Sequence, residues 1–121
     1  MRLIATLSAA AIALTASTFP SHADRSRVEA IGRCMAFYAV LSGMDGTKEP
    51  DSVSAGAIKD LGTELYSEGD RAGLPHSETQ DTVVAALVAL NMQIQETGRT
   101  AVEEAMGEEC GNMVDQVRGL R

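Results

Sequence analysis

The sequence predicts an all-α fold: a small antiparallel helical bundle of about four helices, stapled by one disulfide and preceded by a cleaved signal peptide. Three observations carry that expectation. Apolar residues recur at three- and four-residue steps through four stretches that Gly, Pro and Asp punctuate. Two cysteines, Cys34 and Cys110, fall midway along the first and last of those stretches. Before them stands a short basic start, an apolar run and a cluster of small residues, the layout of an export signal.

The N-terminal segment sets the compartment. Arg2 is followed by an apolar run over residues 3–16, broken only by Thr6, Ser8 and Thr15. Pro20 ends it, and Ser21-His22-Ala23 places small residues at the −3 and −1 positions of a cleavage after Ala23. A retained anchor would need about 20 predominantly apolar residues, which this run does not reach. Residues 1–23 therefore read as a signal peptide and 24–121 as a single helical domain. The expected location is the periplasm, or the exterior as a secreted protein. No membrane insertion is expected after cleavage.

Export makes the two cysteines a bond, because an oxidising compartment joins the one pair available. So long a loop restricts the unfolded chain by about 4–5 kcal/mol as an upper figure. A small domain has a total stability of about 5–15 kcal/mol, so such a bond is a structural staple. A redox-active pair would more often lie in a C-x-x-C, which this chain lacks.

The first helix is expected over 26–42, with Val28, Ile31, Met35 and Tyr38 on its stripe and Cys34 and Leu41 at the edge. Gly43 stops it and Asp45-Gly46 turns. Asp51 or Ser52 caps the second helix, expected over 53–67 with Ala57, Ile58, Leu61 and Leu65 on one side and Gly69 just past its end. Ser77-x-x-Gln80 reads as a capping box that opens the third. Its interior, Val83-Val84-Ala85-Ala86-Leu87-Val88-Ala89-Leu90, is apolar nearly all round, which predicts the central helix of the bundle. A second capping box, Thr100-x-x-Glu103, opens the fourth, whose stripe is Val102, Met106, Cys110, Met113, Val117 and Leu120. Helix axes normally lie 8–10 Å apart, whereas disulfide Cα atoms stand at about 5.5 Å, so helices one and four must cross closely. Gly107, Gly111 and Ala30 supply small residues for that approach.

Charge narrows the partners. All 17 acidic residues follow Ala23, against nine basic ones, a formal charge of −8 that repels phosphate backbones and anionic lipid. Nucleic acid is therefore excluded as an expected partner. No metal or cofactor is expected. His76 is the one histidine after Ala23, and neither Glu-x-x-His pairs nor C-x-x-C-H occur. Met35, Met92, Met106 and Met113 fall at core spacing. Ser77 beside His76 is better used as a cap than as a nucleophile, and no phosphate loop or nucleophile elbow is present. The carboxylate rows Asp60, Glu64, Glu68 and Glu104, Glu108 read as solvated faces.

No catalytic residues emerge, so the expected function is that of an exported, non-enzymatic small helical protein of the bacterial envelope acting on a protein partner. Phe37, off the main stripe, and Leu41 are the candidate partner contacts, and a homo-oligomer is a further option. Two alternatives are a binder of small apolar ligands, with a cavity near Met92, Met106 and Met113, and an acid-stress periplasmic chaperone. The first of these readings to check is the signal itself. Intact mass of the exported chain is expected to match a start at Asp24; a mass retaining Met1 would remove both the signal and the basis for the disulfide.

Overall fold

The computed structural model describes residues 22–43 and 51–120. The signal segment up to Ser21 and the Asp45-Gly46 turn lie outside the described residues. Four helices follow in order: α1 (His22–Leu41), α2 (Ser52–Arg71), α3 (His76–Thr97) and α4 (Arg99–Val117). No strand occurs among the described residues, and no helix there is long and apolar enough to cross a membrane.

The core is built around α1. Val28, Ile31, Cys34, Ala36 and Phe37 are all buried, and most of the other residues from Arg25 to Leu41 are half-covered. Buried positions thus spread over a wide arc, because α2 packs along one side and α3 along another. Arg27 meets Glu68, and Gly62 lies against Met35, so α1 and α2 run antiparallel. Gly32 lies against Thr82, and Arg99 reaches the carbonyls of Val40 and Leu41, so α3 runs in the same direction as α1.

This arrangement corrects the expectation that α3 is central. Only Thr79 and Leu90 of its 22 residues are buried. All-round apolarity marked α3 as central, but burial depends on how many neighbours a helix has. The small residues Gly32 and Ala36 on α1 let neighbours close around it instead.

The fourth helix passes over the others and touches all three. Near its middle Cys110 bonds Cys34, with Cα atoms 5.2 Å apart and both residues buried. Toward its end Arg118 pairs with Asp60 of α2 at 2.6 Å. Besides Cys110, it buries only Val102, Met113 and Val114. So few apolar contacts leave the helix dependent on its covalent link.

The start of α1 lies at His22, four residues before the expected one, and three further helix ends differ for a local cause. Asp51 does cap α2: its carboxylate accepts the Ser54 backbone N–H at 2.8 Å and the Ser54 hydroxyl at 3.0 Å. That backbone donor holds the Asp51 carboxyl below its ordinary pKa. At its other end α2 continues through Gly69 to Arg71. Gly73, at φ 74°, closes it, with the Leu74 N–H returning to the Gly69 carbonyl and the Gly73 N–H to that of Asp70. That is a Schellman closure, and buried Leu74 seals it against the core.

Neither predicted capping box forms. The third helix starts at His76 and the fourth at Arg99, one residue earlier than expected, which draws Ser77 and Thr100 into the helices. Glu103 pairs with Arg99 instead. The whole connection between α3 and α4 is Gly98, whose φ of 91° suits glycine.

The glycines of close approach are likewise not those expected. A Cβ at Gly107 or Gly111 would meet nothing within 4 Å, whereas one at Gly69 would stand 2.5 Å from Oγ1 of Thr79, which is fully buried. Gly107→Ala is therefore expected to raise stability by about 1 kcal/mol through helix propensity alone. Gly69→Ala gains the same propensity but must displace Thr79, and overpacking costs about 1–3 kcal/mol. Urea denaturation of the two variants should place their midpoints on opposite sides of the parent's.

Candidate docking surface on the third helix

The residues singled out for chemistry do not converge. No group of three or more His, Cys, Asp or Glu is placed to hold a metal among the described residues. His76 contacts Asp70 at 3.1 Å and packs edge-on against Tyr66, which ties the α2–α3 turn together. No hydrogen bond joins His76 to Ser77 among the described residues.

The carboxylate row on α2 divides between separate arginines. Glu68 is buried between Arg71 at 2.9 Å and Arg27 at 3.7 Å, while Asp60 holds Arg118. A buried carboxylate with two arginines is satisfied as a structural group, and because both arginines are themselves solvent-exposed, losing either one costs about 1 kcal/mol or less. Glu104 and Glu108 remain on an exposed face of α4.

Neither candidate contact on α1 offers an exposed surface. Phe37 is 3% exposed and stacks edge-to-face on Tyr38, and Leu41 is half-buried against the core. The wide burial of α1 accounts for Phe37 lying off the stripe. Burial also pushes the Tyr38 phenol pKa up, with the Arg118 charge opposing.

Exposed apolar surface lies instead on α3. Val84, Val88 and Met92 are 52%, 57% and 56% exposed. They recur every four residues, so they form one strip about 12 Å long on the side away from the core. Ala85 and Ala89, also exposed, sit on the next row round the helix and lead into a groove of about 410 Å³. Alongside them Thr82, Ala86, Leu90 and Gln93 of α3, Glu29 and Arg33 of α1, and Met106 of α4 complete its walls.

The three methionines expected around a shared cavity are thereby separated. Met113 is buried with its sulfur 3.9 Å from the Arg27 guanidinium, Met106 lines the open groove, and Met92 faces outward. The sequence marked α3 as apolar on every face but could not say which face neighbours leave bare. The strip was visible there only as an excess of valine and alanine.

Comparison with known proteins adds no assignment: no protein-family model, curated protein or solved structure matches the chain.

Exposure of Met92 is directly measurable. Brief treatment with dilute peroxide, followed by peptide mass mapping, is expected to convert Met92 to sulfoxide well before Met113, which is 9% exposed. Equal rates would mean that α3 is buried as its sequence first implied.

Proposed function

We propose that this chain is an exported, non-enzymatic helical protein that acts by binding a protein partner along the bare face of α3. One observation carries the reading: Val84, Val88 and Met92 form a contiguous apolar strip joined to an open groove. Single exposed apolar residues are ordinary on any protein surface, but a continuous patch beside a concavity is the usual character of an interaction site. The Cys34–Cys110 bond and the absence of a membrane-spanning helix among the described residues accord with a protein that works after export.

Magnitudes define what the partner must contact. Fully burying a Val or Met side chain contributes about 1.5–3 kcal/mol, so covering these three from half-exposure adds about 3 kcal/mol in total. Micromolar binding needs about 8 kcal/mol after association costs of 4 kcal/mol or more. The strip alone is insufficient, and the partner must also fill the groove. A small apolar ligand in the groove would leave the strip bare, because Val84, Val88 and Met92 do not line it. That favours the protein partner over the ligand reading.

A photoreactive residue in place of Val88, introduced in exporting cells, tests the reading. A discrete crosslinked product is expected from position 88 and none from Gln116, which is exposed at the far end of α4. Failure to crosslink at 88, or equal crosslinking at both positions, would overturn it.

A further inference from the structure

We propose that the partner presents a basic amphipathic helix, which lies along α3 and sets one apolar side chain into the groove beside it. This inference rests on the docking reading above and names the partner's chemistry.

Charge supplies the argument. From His76 to Thr97 α3 carries Glu78, Asp81 and Glu96 and neither lysine nor arginine. Asp81 stands one turn before Val84, and Glu96 one turn beyond Met92, so carboxylates bracket the strip at both ends. Glu29 adds another on the opposite wall of the groove. All four are exposed, and none has an ion-pair partner among the described residues. Arg33 is the cation at the groove, and Glu109 already holds it at 3.4 Å.

An occupant that covers the strip must therefore be apolar along its middle and cationic at both ends and on the groove side. A helix meets this requirement because the strip repeats every four residues along a straight axis. A facing helix with apolar residues at three- and four-residue steps matches it turn for turn. Ala85 and Ala89 have no bulk to hold such a helix away. A second copy of this chain is a poorer match, since antiparallel pairing of two α3 strips brings Glu78 of one beside Glu96 of the other. Each exported copy, without residues 1–23, also carries the same negative net charge of −8.

The test uses the oxidised protein purified from exporting cells and two synthetic amphipathic helices of roughly 18 residues, five turns. One has leucine at helical spacing with lysine elsewhere; in the other, glutamate replaces every lysine. Fluorescence anisotropy is expected to show saturable one-to-one binding of the lysine peptide, weakening with salt, and none of the glutamate peptide. Val88→Asp is the deciding variant, because it adds a negative charge to the surface. Attraction by charge alone would tighten binding, whereas docking on the strip requires it to weaken by about tenfold or more. Asp81→Asn with Glu96→Gln should weaken binding and flatten its salt dependence. Unchanged circular dichroism confirms that each variant is folded, and Val88→Asn supplies a second disruption if Val88→Asp is not.

Unchanged or tighter binding by Val88→Asp, or equal binding of both peptides, overturns the inference. So does dimerisation of the chain that Val88→Asp abolishes, which would make a second copy the occupant. Crosslinking from position 88 without any binding of the lysine peptide would leave the docking reading standing and remove the basic helix.

Discussion

The bond between Cys34 and Cys110 joins the most enclosed helix of the chain to one that has little else holding it in place. On α1 the bonded cysteine sits among Ile31, Ala36 and Phe37, all buried. On α4 it replaces much of the apolar packing that a helix of this length would ordinarily use, since only Val102, Met113 and Val114 are buried with it. A link closing a separation of 76 residues removes many conformations from the unfolded chain. Its effect on the folded state is positional. It sets the point where α4 crosses α1, and from there the helix can reach α2 through Arg118 and α3 through Met106.

Four helices and their disulfide were legible from periodicity and compartment. The identity of the central helix was not. Val83 to Leu90 is the most apolar stretch after the signal segment, and hydrophobicity alone points to it as the core. Enclosure depends on something periodicity does not record, namely how closely the neighbours can come. Gly32 lets the Thr82 methyl approach to 3.3 Å of where a Cβ would stand, and Gly69 gives Thr79 its space. Both contacts join different helices, so neither glycine could be told in advance from Gly107 or Gly111, which face open space. The capping boxes failed for a related reason. A serine followed three residues later by glutamine is a statistical start signal, but the true start depends on where Pro75 and Gly98 turn the chain.

Charge followed the same course. The spacing of Asp60, Glu64 and Glu68 implied one acidic face, yet the fold turns Glu68 inward to two arginines and gives Asp60 to Arg118. The contacts with Arg27 and Arg118 come from other parts of the chain, beyond the reach of spacing within a single helix; only the Arg71 contact lies within α2. The carboxylates around the α3 strip were less conspicuous in sequence, because Glu78, Asp81 and Glu96 do not share one repeat. Their significance comes from position, since they surround the apolar surface that α1, α2 and α4 leave uncovered.

The staple and the surface are connected through Met106. It lies one turn before Cys110 on α4 and forms the wall of the groove opposite α1 and α3. With so few buried contacts on α4, the position of Met106 depends on the bond next to it. The groove therefore owes one wall to a covalent link, while the strip of Val84, Val88 and Met92 is carried by α3 alone. Those three residues contribute little to the core, and polar side chains at the same positions would leave the packing of Thr79 and Leu90 intact. Folding does not require their apolarity, so the reason for it is to be sought in what covers them.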